Sequence, residues 1–305
     1  MTAAVVVAVS PVVASWPAPA GAESYRLKKG DTLSAVAKRF NTTVSQLVAV
    51  NGIADRHRVR AGRVLQIPTK GSPAKTPKAA STAASGDGVS RGYDVSYPQC
   101  GEALPTSVAF AIVGVNGGRP FTVNPCLKTE MAWAGKVADE PRRFYVNTSN
   151  PGPQATAHWP SGQSAPKQCA GSYPANDSLN CAYDFGYGGA KFAASQVPGG
   201  ADAGRWWLDV ETMNTWSANQ ASNFAVIQGT IDYFRGQGAQ VGIYSTGYQW
   251  GRITGGAAVP GVPVWIAGEG DYAAAVRACN TTSFSGGRVT FTQYAAGGFD
   301  ANHRC

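Results

Sequence analysis

The sequence predicts an α/β protein that combines a small strand–helix–helix–strand module with an irregular TIM-like (β/α) barrel. Residues 24–69 place two segments of helical periodicity between two strand-like segments. Residues 91–305 alternate short apolar runs with helical segments, a pattern typical of parallel sheets. A chain of 305 residues has room for both domains.

The chain begins with a short apolar stretch that is similar to a truncated secretion signal. Residues 3–13 are mostly Ala and Val, and Ala20-Gly21-Ala22 fits the small-x-small pattern of a cleavage site. Because no basic segment precedes the apolar run, an Ala/Val-rich tail is the alternative to a signal peptide over residues 1–22. No apolar run reaches the ~18 residues that a membrane span needs, so no integral membrane segment is expected.

The first module begins and ends with strands over residues 25–29 and 64–68. The first helix has one apolar stripe, formed by Leu33, Val36, Ala37 and Phe40. A second helix is expected over residues 43–51, because its first residues fit a capping box and Asn51-Gly52 is a typical helix end.

This module resembles the LysM family. The residues that carry the resemblance are Tyr25-Arg26-Leu27, Gly30-Asp31-Thr32-Leu33, Asn51-Gly52-Ile53 and Gly62-x-x-Leu65-x-Ile67-Pro68. The resemblance implies a shallow groove between two loops that binds N-acetylglucosamine-containing polymers, chiefly peptidoglycan or chitin. The binding residues it implies are Gly30, Asp31, Thr32, Asn51, Gly52 and Ile53. Helix capping is the alternative role for several of these side chains.

The excess positive charge of the chain lies entirely in its first part. The net charge is +8, and residues 1–86 carry 12 Lys/Arg against 3 Asp/Glu. The basic cluster at residues 56–63 lacks the aromatic platforms of single-strand binders, so no nucleic-acid partner is expected. Two interpretations of this cluster remain open. It attracts anionic wall polymers or phospholipid, or it is merely a solvated face. Residues 70–90 lack aromatic residues and apolar periodicity, which predicts a flexible linker.

All six cysteines lie after residue 99, and they favour export through an oxidising compartment. None forms a C-x-x-C pair of the zinc or thioredoxin type. Buried thiols are the alternative to disulfides. Among the possible connectivities, we expect sequential pairing: Cys100–Cys126, Cys169–Cys181 and Cys279–Cys305.

The second domain contains seven short apolar runs that each lead into polar or acidic residues. They lie at residues 92–96, 110–115, 143–146, 206–210, 241–244, 264–266 and 289–292. A helix is expected from Asn219 to about Arg235, where apolar residues recur at spacings of three and four. Strands that end in polar groups predict a barrel with a site at their C-terminal ends.

The motif Trp207-x-Asp209-x-Glu211 turns an indole and two carboxylates to one face of a strand. Carboxylates about 6–7 Å apart raise each other's cost of ionisation. One of them can then stay protonated near neutrality and act as the general acid of sugar hydrolysis. A strand end with two solvated carboxylates is the alternative.

The wider constellation resembles the glycoside hydrolase family 25 lysozymes. The matching segments are Gly92-Tyr93-Asp94-Val95-Ser96, Leu208-Asp209-Val210-Glu211, Ile243-Tyr244-Ser245, Val264-Trp265-Ile266-Ala267, Thr292-Gln293-Tyr294 and Phe299-Asp300-x-Asn302. The resemblance implies an irregular barrel that cuts the MurNAc-β-1,4-GlcNAc bond without a metal or other cofactor. Four acidic residues would line its mouth: Asp94, Asp209, Glu211 and Asp300.

The resemblance also implies a role for each acidic residue. Glu211 would protonate the glycosidic oxygen and then activate water, while Asp209 would stabilise the positive charge at the anomeric centre or orient the 2-acetamido group. Asp94 and Asp300 would hold the hydrogen-bond network of the site. The residues expected to line the sugar subsites are Tyr244, Trp265, Gln293 and Asn147. Ordinary barrel packing is the alternative for the first three.

Three features depart from the family pattern. Residues 110–118 replace the usual Lys-Ala-Thr/Ser-Glu-Gly strand end, and Tyr145-Val146-Asn147-Thr148 replaces Tyr-His-Phe. Residues 151–204 are a long disulfide-bearing insertion. The sequence therefore supports two hypotheses: an exported, monomeric, wall-anchored muramidase, or a wall-binding protein whose barrel no longer cuts glycan. Another type of glycosidase is a third possibility.

Overall fold

The structure, a computed structural model, describes most of the chain after residue 22. The described residues are 23–28, 31, 33–40, 42, 47, 50–51, 53, 59, 61–67, 91–138, 142–172, 174–296 and 298–305. The expected signal peptide, the expected linker and most of the basic cluster lie outside these residues, as do Gly30, Thr32 and Gly52. The chain falls into two compact units.

In the N-terminal unit, two strands enclose the first helix in the chain, as the sequence predicts. Strand β1 (Glu23–Arg26) pairs antiparallel with β2 (Val64–Ile67). Helix α1 (Leu33–Arg39) buries Leu33 and Val36 from its apolar stripe. The second expected helix lies mostly outside the described residues.

The C-terminal unit is a closed eight-stranded barrel. Its strands are β3 (Arg91–Val95), β4 (Phe110–Gly114), β5 (Arg143–Asn147), β6 (Arg205–Asp209), β7 (Gln240–Ser245), β8 (Val264–Glu269), β9 (Val289–Ala296) and β10 (Phe299–Arg304). Strands β3 to β8 each pair in parallel with the next strand along the chain. Strand β10 runs antiparallel to both β9 and β3 and closes the barrel. The predicted irregular TIM-like barrel is confirmed.

Helices follow five of the parallel strands. They are α2 (Leu127–Val137), α3 (Leu179–Ser195), α4 (Gln220–Gly236), α5 (Gly247–Thr254) and α6 (Tyr272–Ala278). The predicted helix from Asn219 is α4, and the Asn219 side chain caps it by accepting the backbone N–H groups of Ala221 and Ser222. Helix α3 lies inside the segment 151–204 that the sequence presents as an insertion, so the irregular part of that segment before α3 is shorter than expected.

Aromatic side chains fill the inside of the barrel. Its central cluster contains Phe110, Ile112, Trp207, Tyr244, Trp265, Ala267 and Phe291. Gly242 faces this cluster, where a Cβ atom would lie 2.3 Å from the Trp207 ring. Because the interior is packed, a substrate has access only to the rims of the barrel.

Three disulfides tie the loops of the barrel to its framework. The pairs are Cys100–Cys126, Cys169–Cys181 and Cys279–Cys305, which is the sequential pairing expected from the sequence. The second bridge fastens the irregular segment to α3, and the third fastens the end of β10 to the end of α6. The third bridge thus fixes β10, the strand that carries Asp300.

Candidate active site

The predicted acidic residues all lie at one rim of the barrel. Asp94 and Asp209 lie at the C-terminal ends of the parallel strands β3 and β6, and Glu211 follows β6 by two residues. Strand β10 runs the opposite way, so Asp300 near its start faces the same rim, where it is the register partner of Asp94. The strand directions therefore bring all four carboxylates to one mouth.

Tyr145 on β5 lies among three of these carboxylates. Burial raises the pKa of the Tyr145 hydroxyl well above its usual value, and the negative charges of Asp94, Asp209 and Asp300 raise it further. A hydrogen bond with Ser96 acts in the opposite direction. Tyr145 therefore keeps its proton at neutral pH and has a hydroxyl group able to donate a hydrogen bond inside the site.

Asp94 is held by side-chain amides from the two last strands. Its Oδ2 atom accepts an N–H from Gln293 at 3.0 Å and one from Asn302 at 2.7 Å. The Oε1 atom of Gln293 in turn accepts the Tyr244 hydroxyl at 2.8 Å. Gln293 and Tyr244 thus hold Asp94 in place from inside the barrel.

The four residues expected to line sugar subsites differ in their accessibility. Tyr244 and Gln293 are 5% and 3% exposed, and Trp265 is 1% exposed and packs edge-on against Tyr244 and Trp207. These positions favour the packing alternative for those three residues. Asn147 is partly exposed, and its side chain contacts Asp209.

Asp209 and Glu211 have different environments although they are two residues apart. Asp209 is 5% exposed, and its Oδ2 atom accepts an N–H from the Asn147 side chain. Glu211 is partly exposed, and its Oε1 atom accepts an N–H from Gln249 at 3.4 Å. The backbone carbonyl of Glu211 accepts the indole N–H of Trp216 at 2.7 Å. A buried, oriented carboxylate thus lies beside a carboxyl group that a substrate can reach.

Known families match both parts of the chain. The LysM domain family matches residues 25–68. The family described as Lysozyme-like protein 1 matches residues 195–286, which include Asp209 and Glu211. A LysM domain precedes a lysozyme-like domain. The resemblance predicted from the sequence is confirmed.

Individual relatives of the lysozyme type are similar over short stretches. Lysozyme-like protein 5 of Caenorhabditis elegans is 41% identical over 71 residues, 21% of this chain and 33% of that protein. Probable GH family 25 lysozyme 4 of Dictyostelium discoideum is 37% identical over 71 residues, 22% of this chain and 32% of that protein. The chain spans about a third of the length of these curated relatives. The solved structure of a muramidase from Trichobolus zukalii aligns with a TM-score of 0.49 at 18% identity, covering 71% of this chain and 93% of that one.

In the LysM domain, the described members of the predicted binding set have structural contacts. The Asp31 carboxylate accepts the Tyr25 hydroxyl and the Lys28 backbone N–H, each at 2.8 Å, and the Lys28 bond is the main cause of a lowered Asp31 pKa. The Asn51 side chain exchanges two hydrogen bonds with the backbone of Gln66. Both side chains therefore bind residues that lie in or next to the two strands of the domain. Ile53 is buried.

Tyr145, Asn302 and Gln249 belong to the site, although they are not among the site residues predicted from the sequence. Tyr145 and Asn147 lie on the same face of one strand, so the period of two could have pointed to Tyr145. Asn302 lies in the quoted segment Phe299-Asp300-x-Asn302, and the same period of two places it on one face of its strand with Asp300. Nothing in the local sequence of Gln249 marks it, because its partners lie 37 and 38 positions away.

The structure also bears on metal and membrane sites. Among the described residues, one group of potential ligands is close enough to hold a metal ion: Cys100, Cys126 and Glu130. The two sulfur atoms form a disulfide and are not available as thiolate ligands. No helix within the described part of the chain has the length and apolar character needed to cross a bilayer.

Proposed function

We propose that the chain is a secreted peptidoglycan hydrolase of the muramidase type, which cleaves the MurNAc-β-1,4-GlcNAc bond while the LysM domain holds it at the cell wall. One observation carries this proposal: Asp94, Asp209, Glu211 and Asp300 meet at one mouth of the barrel. The names of the two curated relatives support the same class of activity.

In the proposed reaction, Glu211 is the general acid and then the general base. It is the partly exposed member of the central pair, so its carboxyl group can reach a glycosidic oxygen in the cleft. After the bond breaks, the same carboxylate removes a proton from the attacking water. Sugar hydrolysis by paired carboxyl groups follows this sequence of proton transfers.

Asp209 supplies negative charge next to the anomeric carbon. The transition state of sugar hydrolysis resembles an oxocarbenium ion, and a fixed carboxylate at low exposure stabilises that positive charge. Orientation of the 2-acetamido group as an internal nucleophile is the second possible role of Asp209. Asp94 and Asp300 hold the hydrogen-bond network of the site.

The remaining features of the chain fit a protein that works outside the cell. Three disulfides are typical of exported proteins. The basic N-terminal part suits an anionic envelope, and glycan is the partner of both domains. We expect the protein to act as a monomer and to have no nucleic-acid partner.

The deciding experiment is digestion of purified peptidoglycan followed by mass spectrometry of the soluble products. Wild-type protein should release fragments that end in MurNAc, and Glu211→Gln should reduce the rate about 10²–10⁴-fold because it removes the general acid. Glu102→Gln is the matched control, since Glu102 is exposed and lies outside the site. Equal release by wild type and Glu211→Gln would show that Glu211 is not the general acid, and no MurNAc-ended fragments from wild type would rule out the proposed enzyme.

A wall-binding protein without catalysis is the second candidate. It is favoured by the ends of β4 and β5, where Asn116 and Asn147 stand in segments that depart from the lysozyme pattern. In that case wild-type protein would be retained on sacculi but would release no MurNAc-ended fragments.

The wall-binding role of the LysM domain has its own test. Full-length Glu211→Gln should sediment with purified sacculi, and the same variant lacking residues 1–90 should sediment less. Equal retention of both proteins would assign the anchoring to the barrel.

A further inference from the structure

We infer that Asn116 and Asn147 form a positioning pair that orients the Asp209 carboxylate for catalysis. This inference rests on the proposed function. It assigns Asn147 a role on the protein side of the site, in place of the sugar contact expected from the sequence. Asn116 joins the site as a residue that acts through Asn147.

Asn147 is in direct contact with Asp209. These residues are register partners at the ends of β5 and β6. The Asn147 side-chain amide donates an N–H to Oδ2 of Asp209. Because Asp209 is 5% exposed, this donor replaces part of the hydration that the carboxylate loses on burial.

Asn116 in turn holds the backbone of Asn147. The Oδ1 atom of Asn116 accepts the backbone N–H of Asn147 at 3.1 Å, and the Nδ2 atom of Asn116 donates to the backbone carbonyl of Asn147 at 3.0 Å. Strand β4 ends at Gly114, so the Asn116 side chain takes the place of a further strand residue opposite β5. Asn116 is 2% exposed, so its amide exchanges these bonds away from solvent.

Thr148, the residue that follows β5, also holds the backbone of Asp209. Both the N–H and the hydroxyl of Thr148 donate to the Asp209 carbonyl oxygen, at 3.0 and 2.7 Å. The end of β5 therefore fixes Asp209 at its backbone and at its carboxylate. A side chain held at both points loses little rotational freedom when the substrate reacts.

The chemical nature of the donor matters for the reaction. An amide N–H orients a carboxylate without adding a positive charge, whereas a Lys or Arg at the position of Asn147 would neutralise it. The amide donor therefore leaves uncompensated the negative charge with which Asp209 would stabilise the developing oxocarbenium ion. A positioning role predicts an effect on kcat, while a sugar-binding role for Asn147 predicts an effect on KM.

The first test is steady-state kinetics on soluble peptidoglycan fragments. Asn147→Ala should lower kcat by up to about 10²-fold with little change in KM, because small displacements of a reacting group are costly. Asn116→Ala should lower kcat less. The double variant should be no slower than Asn147→Ala, because both residues act along one path. Asn180→Ala on α3, an exposed amide bonded to the Gln168 carbonyl, should match wild type.

A rise in KM with kcat retained would assign Asn147 to sugar binding and overturn the inference. Additive losses in the double variant would overturn the role of Asn116. If wild-type protein is inactive, the proposed function fails on its own, and the positioning pair is tested without catalysis.

The test that does not depend on catalysis is NMR of the side-chain amides. The Asn147 amide protons should exchange slowly with solvent in wild-type protein and rapidly in Asp209→Ala. They should also exchange faster in Asn116→Ala, while the Asn180 amide is unchanged in both variants. An Asn147 amide that is insensitive to both substitutions would contradict the inference whatever the activity.

Discussion

The side-chain amide of Gln249 donates to the Glu211 carboxylate, with an Nε2–Oε1 distance of 3.4 Å. The Oε1 atom of the same amide accepts the backbone N–H of Thr212 at 2.6 Å and its hydroxyl at 3.1 Å. Gln249 has no exposed surface, so its amide bonds to the loop that carries Glu211 and not to water. Helix α5 thereby determines where the proposed general acid stands.

Gln249→Leu should lower both activity and stability. The backbone N–H of Thr212 would lose its acceptor, and leaving such a donor unsatisfied costs about 1–3 kcal/mol. The loop that carries Glu211 would also be less well fixed, so the cleavage rate should fall about tenfold or more. Turbidity loss of a peptidoglycan suspension and thermal unfolding would measure the two effects.

Gln228→Leu is the matched control for this substitution. Gln228 lies on α4 and bonds to Asp232, away from the mouth of the barrel. A normal cleavage rate in Gln249→Leu, at a temperature where it is fully folded, would show that Gln249 does not position Glu211.

Glu130 should make the stability of the barrel depend on pH. This side chain on α2 is 2% exposed; burial raises its pKa, while the N–H of Asn124 at 2.7 Å lowers it in part. A raised pKa means that the folded protein binds the proton more tightly than the unfolded chain does. The stability from Glu130 is therefore present in acid and is lost as the pH rises from about 4.3 through the raised pKa.

Glu130→Gln removes this titration. Relative to wild type, the unfolding midpoint of the variant should improve as the pH is raised from about 4 to about 7. Glu102→Gln makes the same change of charge at an exposed position and should show no such trend. Parallel midpoint curves for wild type and Glu130→Gln would contradict the prediction.

The sequence predicts the parts of the barrel that follow from local pattern. Apolar runs ending in polar residues identify the strands and the rim, and they place Asp94 and Asp209 correctly at strand ends. The partners of these carboxylates could not be predicted in the same way. Asn116 meets Asn147 across 31 positions, and Asn302 meets Asp94 across 208, so both contacts depend on the register of the closed barrel.

Helix α3 shows a second limit of local pattern. Its sequence contains three glycines, which are poor helix formers, so the segment has weak helical propensity. Packing against α4 explains both the helix and the glycines. A Cβ atom on Gly186 would lie 2.0 Å from the Val226 carbonyl oxygen, so only glycine allows the two helices to approach this closely.

Gly186→Ala should therefore destabilise the barrel domain. The added methyl group would push α3 away from α4, and overpacking of this kind typically costs about 1–3 kcal/mol. Gly135→Ala on α2 is the control, because no atom lies within 4 Å of the added Cβ there. The control should be neutral or more stable by about 0.5–1 kcal/mol. Denaturant unfolding would measure both values, and equal effects would refute the packing explanation.

Removal of the Cys279–Cys305 disulfide should affect stability and activity together. The bridge spans 26 residues and fastens the end of β10, whose Asn302 bonds to Asp94 at 2.7 Å. A Cys279→Ser/Cys305→Ser variant should lose about 3 kcal/mol of stability, because its unfolded chain is less constrained. Fraying of β10 should also loosen Asp94 and lower the cleavage rate of the folded protein.

The Cys169→Ser/Cys181→Ser variant separates these two effects. Its bridge spans 12 residues and fastens the irregular segment to α3, so its loss should cost a similar free energy without disturbing β10. Cleavage rates would be compared well below both unfolding midpoints. If the two variants lose activity equally, the effect comes from general loosening of the barrel, and the link from the C-terminal bridge through Asn302 to Asp94 is wrong.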